Sequence, residues 1–515
     1  MKPLFFISYW RMIVIVVFCL GWTAGAAFSQ VDPWLEADVQ RPSGEDVAAQ
    51  RRVRQAQLRD PLRATWHFAM PEGYSWFPFD PNGAIFKDGV YHLWYIFPGE
   101  AGAHWGHLSS IDLFHWRWHA EDLRPDDQGP ENNIDSGNAF LAKDGKVVIS
   151  YHGGGTKGNC VTSSSDPNLD HWTKSPNNPI TEPGWDPCMW LQDDTYYMIS
   201  GGNPPLLFSG KDYDKELTNH GEFLAHNMPD VADFEDVSCP DFFQIGDKWV
   251  LQCISHQCGA RYYIGSWNGK KFTPESHHRL NWPGGTCFAP ESLVDDHNRR
   301  IAWYWIIDRK IGSTFGVMSM PRVLELAEDG RSLKITPAEE IERLKIRPKS
   351  IDAFKIAGGK EITLENIAGN SLELDLTIAP QDARRFGVKL LCSTDGREQT
   401  PVTFDLDSKT ITIEFDPTSL ERPDYYQYCV HSPVKPNPKV DRQEVPFVLD
   451  PDEEIRARIF IDKSVIEIFI NDRLCISQIV YPTLEDSVGI RLFSDDAEIQ
   501  IRQCRSWDIF PANSW

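Results

Sequence analysis

Asp80, Asp135 and Asp186 are carboxylates that each open a similar stretch of chain. Asp80 follows the aromatic run Trp76-Phe77-Pro78-Phe79 and begins the turn Pro81-Asn82-Gly83. An apolar segment, a second turn at Lys87-Asp88-Gly89 and a further apolar run come next, which predicts strand, hairpin and strand with a carboxylate at the entrance. An Asp before Pro is by itself a turn former as readily as a nucleophile. Carboxylates gathered in one pocket are a different matter, because one can attack while another gives up or holds a proton.

Recurrence argues for gathering. Asp135-Ser136-Gly137-Asn138 and Asp186-Pro187-Cys188 open comparable units, as do Ser238-Cys239-Pro240-Asp241 and Phe288-Ala289-Pro290-Glu291. The starts recur about every fifty residues, the length of one four-stranded propeller blade. Five such units predict a five-bladed β-propeller over 65–345. Its first strands would line a central channel and bring Asp80, Asp135 and Asp186 to one end of it.

The bulk of the chain fits this reading. Its 515 residues suffice for two or three domains, and a formal net charge of −23 argues against nucleic acid or an anionic membrane as partner. Nineteen Trp could offer flat faces to sugar rings or could pack between blades. Residues 1–30 carry Lys2 and Arg11, then an apolar run and small residues, in the order of a secretory signal. Cleavage would leave no membrane span and a secreted or periplasmic protein. Residues 31–64 read as a polar lead-in. The cysteines show no paired Cys-x-x-Cys, so no metal or other cofactor is expected, although Cys253 and Cys258 could pair. His104, His107, His152 and His256 are spread over three units and read as hydrogen-bonded fillers rather than metal ligands. A charged stretch, 339–349, is helical in pattern. From 346 to 515 short alternating strands with polar turns predict a β-sandwich, so the fold class is all-β.

A propeller followed by a sandwich, with these motifs in this order, resembles glycoside hydrolase family 32, the invertases, inulinases, levanases and other β-fructosidases. The resemblance rests on Asp80-Pro81-Asn82-Gly83, Trp105-Gly106-His107, Asp135-Ser136-Gly137, Trp185-Asp186-Pro187, Cys239-Pro240-Asp241, Met320-Pro321-Arg322 and 462–469. It implies an oligo- or polysaccharide substrate and cleavage of a β-fructofuranoside with retention. Asp80 would be the nucleophile, and Asp186 would hold sugar hydroxyls and stabilise the oxocarbenium-like transition state. Retention needs a second, protonated acid about 5–5.5 Å from the nucleophile.

The departures from the family pattern lie around that same pocket. The family's acid is a Glu before Cys-Pro-Asp, where this chain has Ser238; its Asn before the nucleophile is Phe79, and its Arg before the second Asp is Trp185. A hydroxyl cannot donate a proton usefully at neutral pH, so Ser238 is left to bond substrate. Asp236 precedes it by two residues, on the same strand face and about 6.5 Å towards the channel mouth, with Glu235 facing away. Glu291 is a second candidate acid, and no acid at all is a third reading. Trp105, Phe77 and Trp185 could stack on sugar or wall the channel; Asn82 and Ser136 could bond sugar hydroxyls or cap their own turns. The hairpin at Asp462 reads as structural. Hydrolysis of another furanoside, such as an arabinose polymer, and a silent sugar-binding protein stay open beside the fructosidase reading.

Overall fold

The computed structural model describes residues 44–69, 79–99, 102–126, 129–308 and 316–512. Phe77 and the proposed signal, 1–30, lie outside them. Within the lead-in, residues Gly44–Arg59 form helix α1.

Five antiparallel sheets then follow one another along the chain. The first comprises β1 (Pro81–Lys87), β2 (Val90–Gly99), β3 (Gly102–Ser110) and β4 (Arg117–Leu123), paired in sequence order. The second has β5 (Asn133–Leu141), β6 (Val147–Gly154), β7 (Asn159–Ser164) and β8 (Thr173–Lys174). The third has β9 (Pro187–Gln192), β10 (Thr195–Ser200), β11 (Leu206–Gly210) and β12 (Thr218–Glu222). The fourth has β13 (Ser238–Ile245), β14 (Lys248–Ser255), β15 (Gly259–Trp267) and β16 (Phe272–Arg279). The fifth has β17 (Cys287–Val294), β18 (Arg300–Ile307), β19 (Gly316–Met318), β20 (Arg322–Leu326) and β21 (Leu333–Pro337). Neighbouring first strands touch in the cycle β1, β5, β9, β13, β17 and back to β1, which is the ring of a propeller. Ala69 bridges Val317 of β19, so the segment ahead of the first sheet also binds the last one.

Four of the five inner strands carry a register shift near their start: Asn82/Ile85, Ile134/Gly137, Ser238/Asp241 and Cys287/Pro290. A bulge inserts one unpaired residue and re-aims the side chains beside it, a device common next to active sites. Gly137 marks how tight the second one is. A Cβ there would sit 1.9 Å from the Ser150 carbonyl oxygen, so no other residue fits.

The charged stretch after β21 is helical only in its first half. Glu339–Leu344 is a 3-10 turn that buries Ile341 and Leu344, whereas Lys345–Ile351 is already the first strand of the next domain. Two sheets of seven and six strands then face each other across a core of Leu, Ile, Val and Phe, as expected for a sandwich. The Asp462 hairpin joins this domain to the propeller. Buried Asp462 accepts the N–H groups of Thr65 (2.7 Å), Trp66 (3.0 Å) and His67 (2.9 Å). His67 Nε2 lies 2.8 Å from Glu467, which also pairs with Arg322.

Candidate active site

The site is built at the openings of the inner strands. Asp80 immediately precedes β1, and its carbonyl accepts the Ile96 N–H of β2 (3.2 Å) and the Asn82 side-chain amide (2.9 Å). Asn82 Oδ1 in turn accepts the Gly137 N–H at 3.0 Å, tying the first sheet to the second. Asn82 is thereby engaged with backbone on both sides.

The Asp80 carboxylate is buried, with one oxygen hydrogen-bonded and the other unpaired among the described residues. Oδ2 accepts the Ser136 hydroxyl at 3.1 Å. Oδ1 is buried and has no hydrogen-bond partner among the described residues. Asp186 Oδ2 accepts the Cys239 N–H at 3.0 Å. The Cys239 sulfur lies 3.7 Å from Asp80 Oδ2, 3.7 Å from Asp186 Oδ2 and 3.6 Å from Ser136 Oγ. One thiol touching both carboxylates means that Asp80 and Asp186 face a single pocket. Two of these residues hold left-handed backbone, Asp186 at φ 29° and Cys239 at φ 44°, a conformation disfavoured for side chains with a Cβ and frequent at functional sites.

Burial dominates the electrostatics. It raises Asp80 to about 7, helped by the charge of Asp186 and opposed by Ser136, His256 and Cys239. Burial also raises Asp186 above the usual carboxylate range, against the Cys239 N–H and the charges of His256 and His152. Asp135 is half-buried and lifted to about 6 by burial, with His152 opposing and Asp186 adding.

The residues at the fourth opening form a second group. Ser238 is fully buried, donates to Asp236 Oδ2 (2.7 Å) and accepts the Trp185 indole N–H (2.9 Å). Trp185 is 43% exposed, with its ring at the rim 5.3 Å from that of His152. Asp236 pairs with His256 (2.6 Å) and accepts its backbone N–H (3.1 Å). Burial alone would raise the Asp236 carboxyl, yet His256 and Ser238 hold it at about 2. Glu235 turns the other way, into a buried pair with Arg261 and a second bond to Arg279.

Two further candidates stand apart from this group. Trp105 is fully buried, and its indole N–H donates to the Asp135 carbonyl (3.2 Å); it braces the second opening and presents no face to a ligand. Glu291 accepts the Ala84 N–H at 2.9 Å, inside the β1 bulge and four residues along the chain from Asp80. There burial raises its carboxyl well above the usual range, and the charge of Asp241 raises it further. Both Cys253 and Cys258 are free thiols, so they do not pair.

Residues 67–337 match the family described as glycosyl hydrolases family 32 N-terminal domain, and 340–508 match its C-terminal domain. The chain belongs to glycosyl hydrolases family 32. A fructan 6-exohydrolase of Beta vulgaris is 27% identical to it, covering 87% of each chain. The sucrose-6-phosphate hydrolase of Escherichia coli is also 27% identical, over 82% of this chain and 90% of its own. Among solved structures, fructan 1-exohydrolase IIa of Cichorium intybus superposes with a TM-score of 0.71 at 22% identity, over 88% of this chain and 98% of that one, and shares the fold. As a family 32 member the chain is a glycosidase.

The repeat pattern did not single out Cys239, His152 or His256 as site residues. Hairpin register would have found His256. β13 and β14 pair Asp241 with Gln252, and the bulge then shifts the pairing to Ser238 with Ile254, which sets Asp236 level with His256. Only the bulge makes that match, and bulges leave no mark in a periodicity.

Proposed function

We propose that the protein hydrolyses β-fructofuranosides of the sucrose, inulin or levan type with retention, through a covalent fructosyl-Asp80 intermediate. The observation that carries this reading is the asymmetry of Asp80. Oδ2 is held by Ser136 while Oδ1 is buried without a partner among the described residues, so one carboxylate oxygen is not committed to holding the fold. A buried carboxylate whose charge is poorly compensated is a better nucleophile than a solvated one, because no water shell must be stripped before it attacks.

Asp186 fits the second role. It shares the Cys239 thiol with Asp80 and is fixed by the Cys239 N–H, so its free oxygen can take sugar hydroxyls and balance positive charge at the anomeric carbon. Asp135 and Ser136 supply further polar contacts, and the exposed face of Trp185 suits stacking at the rim. Relatives named as fructan exohydrolase, levanase and cell wall β-fructofuranosidase support a fructosyl substrate and, with the order of residues 1–30, action outside the cytoplasm.

Incubation with sucrose, inulin, levan and arabinan tests the reading. Free fructose released by the wild type and lost in Asp80→Asn is the expected result. Arabinose release, or sugar binding without release from any substrate, would contradict it.

A further inference from the structure

A retaining glycosidase needs a group that gives a proton to the leaving oxygen and later takes one from water. Ser238 cannot do this, and Asp236 is held ionised. The residue beside them can. His256 lies in the turn between β14 and β15, with its ring 22% exposed at the pocket rim. Nδ1 is 2.6 Å from Asp236 Oδ2, while Nε2 has no hydrogen-bond partner among the described residues. The ring is placed by contacts on three sides: Trp185 (centroids 6.4 Å apart), Phe288 (6.2 Å) and His431, stacked at 5.2 Å. His431 comes from the sandwich domain, whose Val430 and His431 N–H groups donate to the His256 carbonyl at 2.9 and 3.0 Å. Cys429 N–H adds a third bond, to the Gln257 carbonyl, at 2.7 Å. The turn is thus clamped between two domains, as a group that must be aimed requires.

We infer that His256, oriented by Asp236, is the acid–base residue of this site. The inference rests on the fructofuranosidase reading above. In the first step the Nε2 proton of the imidazolium passes to the glycosidic oxygen as the bond from that oxygen to the anomeric carbon breaks. Asp80 Oδ1 forms the new bond to the anomeric carbon, and the alcohol leaves neutral. In the second step water attacks that carbon, gives its proton to the now neutral Nε2 and releases Asp80 as carboxylate. The Nδ1 proton stays with Asp236, which is a positioning residue steadied by Ser238.

The charge environment agrees. Burial opposes protonation of His256, but the hydrogen bond and charge of Asp236, together with the charges of Asp186 and Asp80, raise it above its ordinary value. Facing it across the domain junction, His431 is lowered, by burial and then by His256, so the two imidazoles do not compete for the proton. The imidazolium of His256 also sets a positive charge near Asp80 and Asp186 and lowers both.

The test compares leaving groups. Wild type, His256→Gln, Asp236→Asn and Asp80→Asn are assayed on sucrose and on para-nitrophenyl β-fructofuranoside, whose phenolate departs without a proton. His256→Gln is expected to lose about 10²–10⁴-fold in kcat/KM on sucrose but under about tenfold on the aryl substrate, the signature of a missing acid. Retained aryl activity also shows that the variant is folded. Asp236→Asn is expected to keep partial activity on sucrose and to move the alkaline limb of kcat/KM to lower pH, since the imidazole loses the carboxylate that raises it. Equal losses on both substrates in His256→Gln, or unchanged sucrose cleavage, would overturn the inference while loss of activity in Asp80→Asn left the fructosidase reading standing. A wild type that cleaves neither substrate would remove that reading, and this inference with it.

Discussion

Two sets of buried carboxylates in the same molecule behave in opposite ways. Asp462 and Glu467, at the junction with the sandwich, are fully enclosed. Burial works to raise both, but His67 holds Asp462 below its usual range, while Arg322 and His67 hold Glu467 at about 2. His67 itself, which burial would lower, is pushed up to about 9 by these two acids. Asp80 and Asp186 are nearly as buried, yet both are raised, because their contacts are a hydroxyl, a thiol and an amide N–H, and the charges of His256 and His152 lower them less than burial raises them. Burial acts on both sets alike, and partners decide the sign. The junction is satisfied and holds domains together, whereas the pocket is left short of partners, so its carboxylates hold protons more tightly and are not spent on the fold.

Breaking the pocket should show first in activity. Asp80→Asn is expected to reduce turnover about 10⁴-fold or more, measured as fructose release under single-turnover conditions. Breaking the junction should show in stability instead. Glu467→Ala strands the buried Arg322 without its acid and leaves His67 with Asp462 alone, and a loss of about 3–5 kcal/mol is expected in denaturant unfolding, with the residual native enzyme still active. Ser136→Ala removes the hydroxyl donor to Asp80 Oδ2 and leaves only the Cys239 thiol on that oxygen, so it should lower kcat about ten- to hundredfold and cost about 1–3 kcal/mol in unfolding.

Linkage to pH separates the two sets further. Glu467 is lowered in the folded state, so its contribution is present above its ordinary value of 4.5 and is lost as pH falls towards about 2. His67 is raised, so its contribution is complete below 6.5 and is lost as pH climbs through about 9. Asp80 works the other way. Its folded state binds the proton more tightly, so it costs stability progressively as pH rises from 3.8 through about 7. The smallest effect expected follows from this: Asp80→Asn should stabilise the fold at neutral pH by about 0.5–2 kcal/mol, read as a raised Tm.

Much of this was legible in the sequence, and the parts that were not share a cause. The recurring strand openings at Asp80, Asp135, Asp186, Ser238 and Phe288 placed the inner strands, since a turn former followed by alternating apolar residues is local information. The same pattern put Asp80 and Asp186 in one pocket. Trp105 was open to two readings because an aromatic near a channel looks the same whether it faces ligand or a neighbouring sheet. His256 escapes a reading of the sequence because its partner, Asp236, is set opposite it by a bulge, and its ring neighbours Trp185, Phe288 and His431 come from two other blades and a loop of the sandwich. The strand at Lys345–Ile351 was hidden by a charge pattern that is helical only as far as Leu344.

The most direct test of the shared pocket is to trap what Asp80 holds. Wild-type enzyme turning over para-nitrophenyl β-fructofuranoside is quenched with acid on the millisecond scale, digested and weighed by mass spectrometry. One fructosyl unit on the peptide that contains Asp80, absent from Asp80→Asn, is the predicted result. An adduct on a different residue, or fructose release at full rate with no adduct on any peptide, would contradict it.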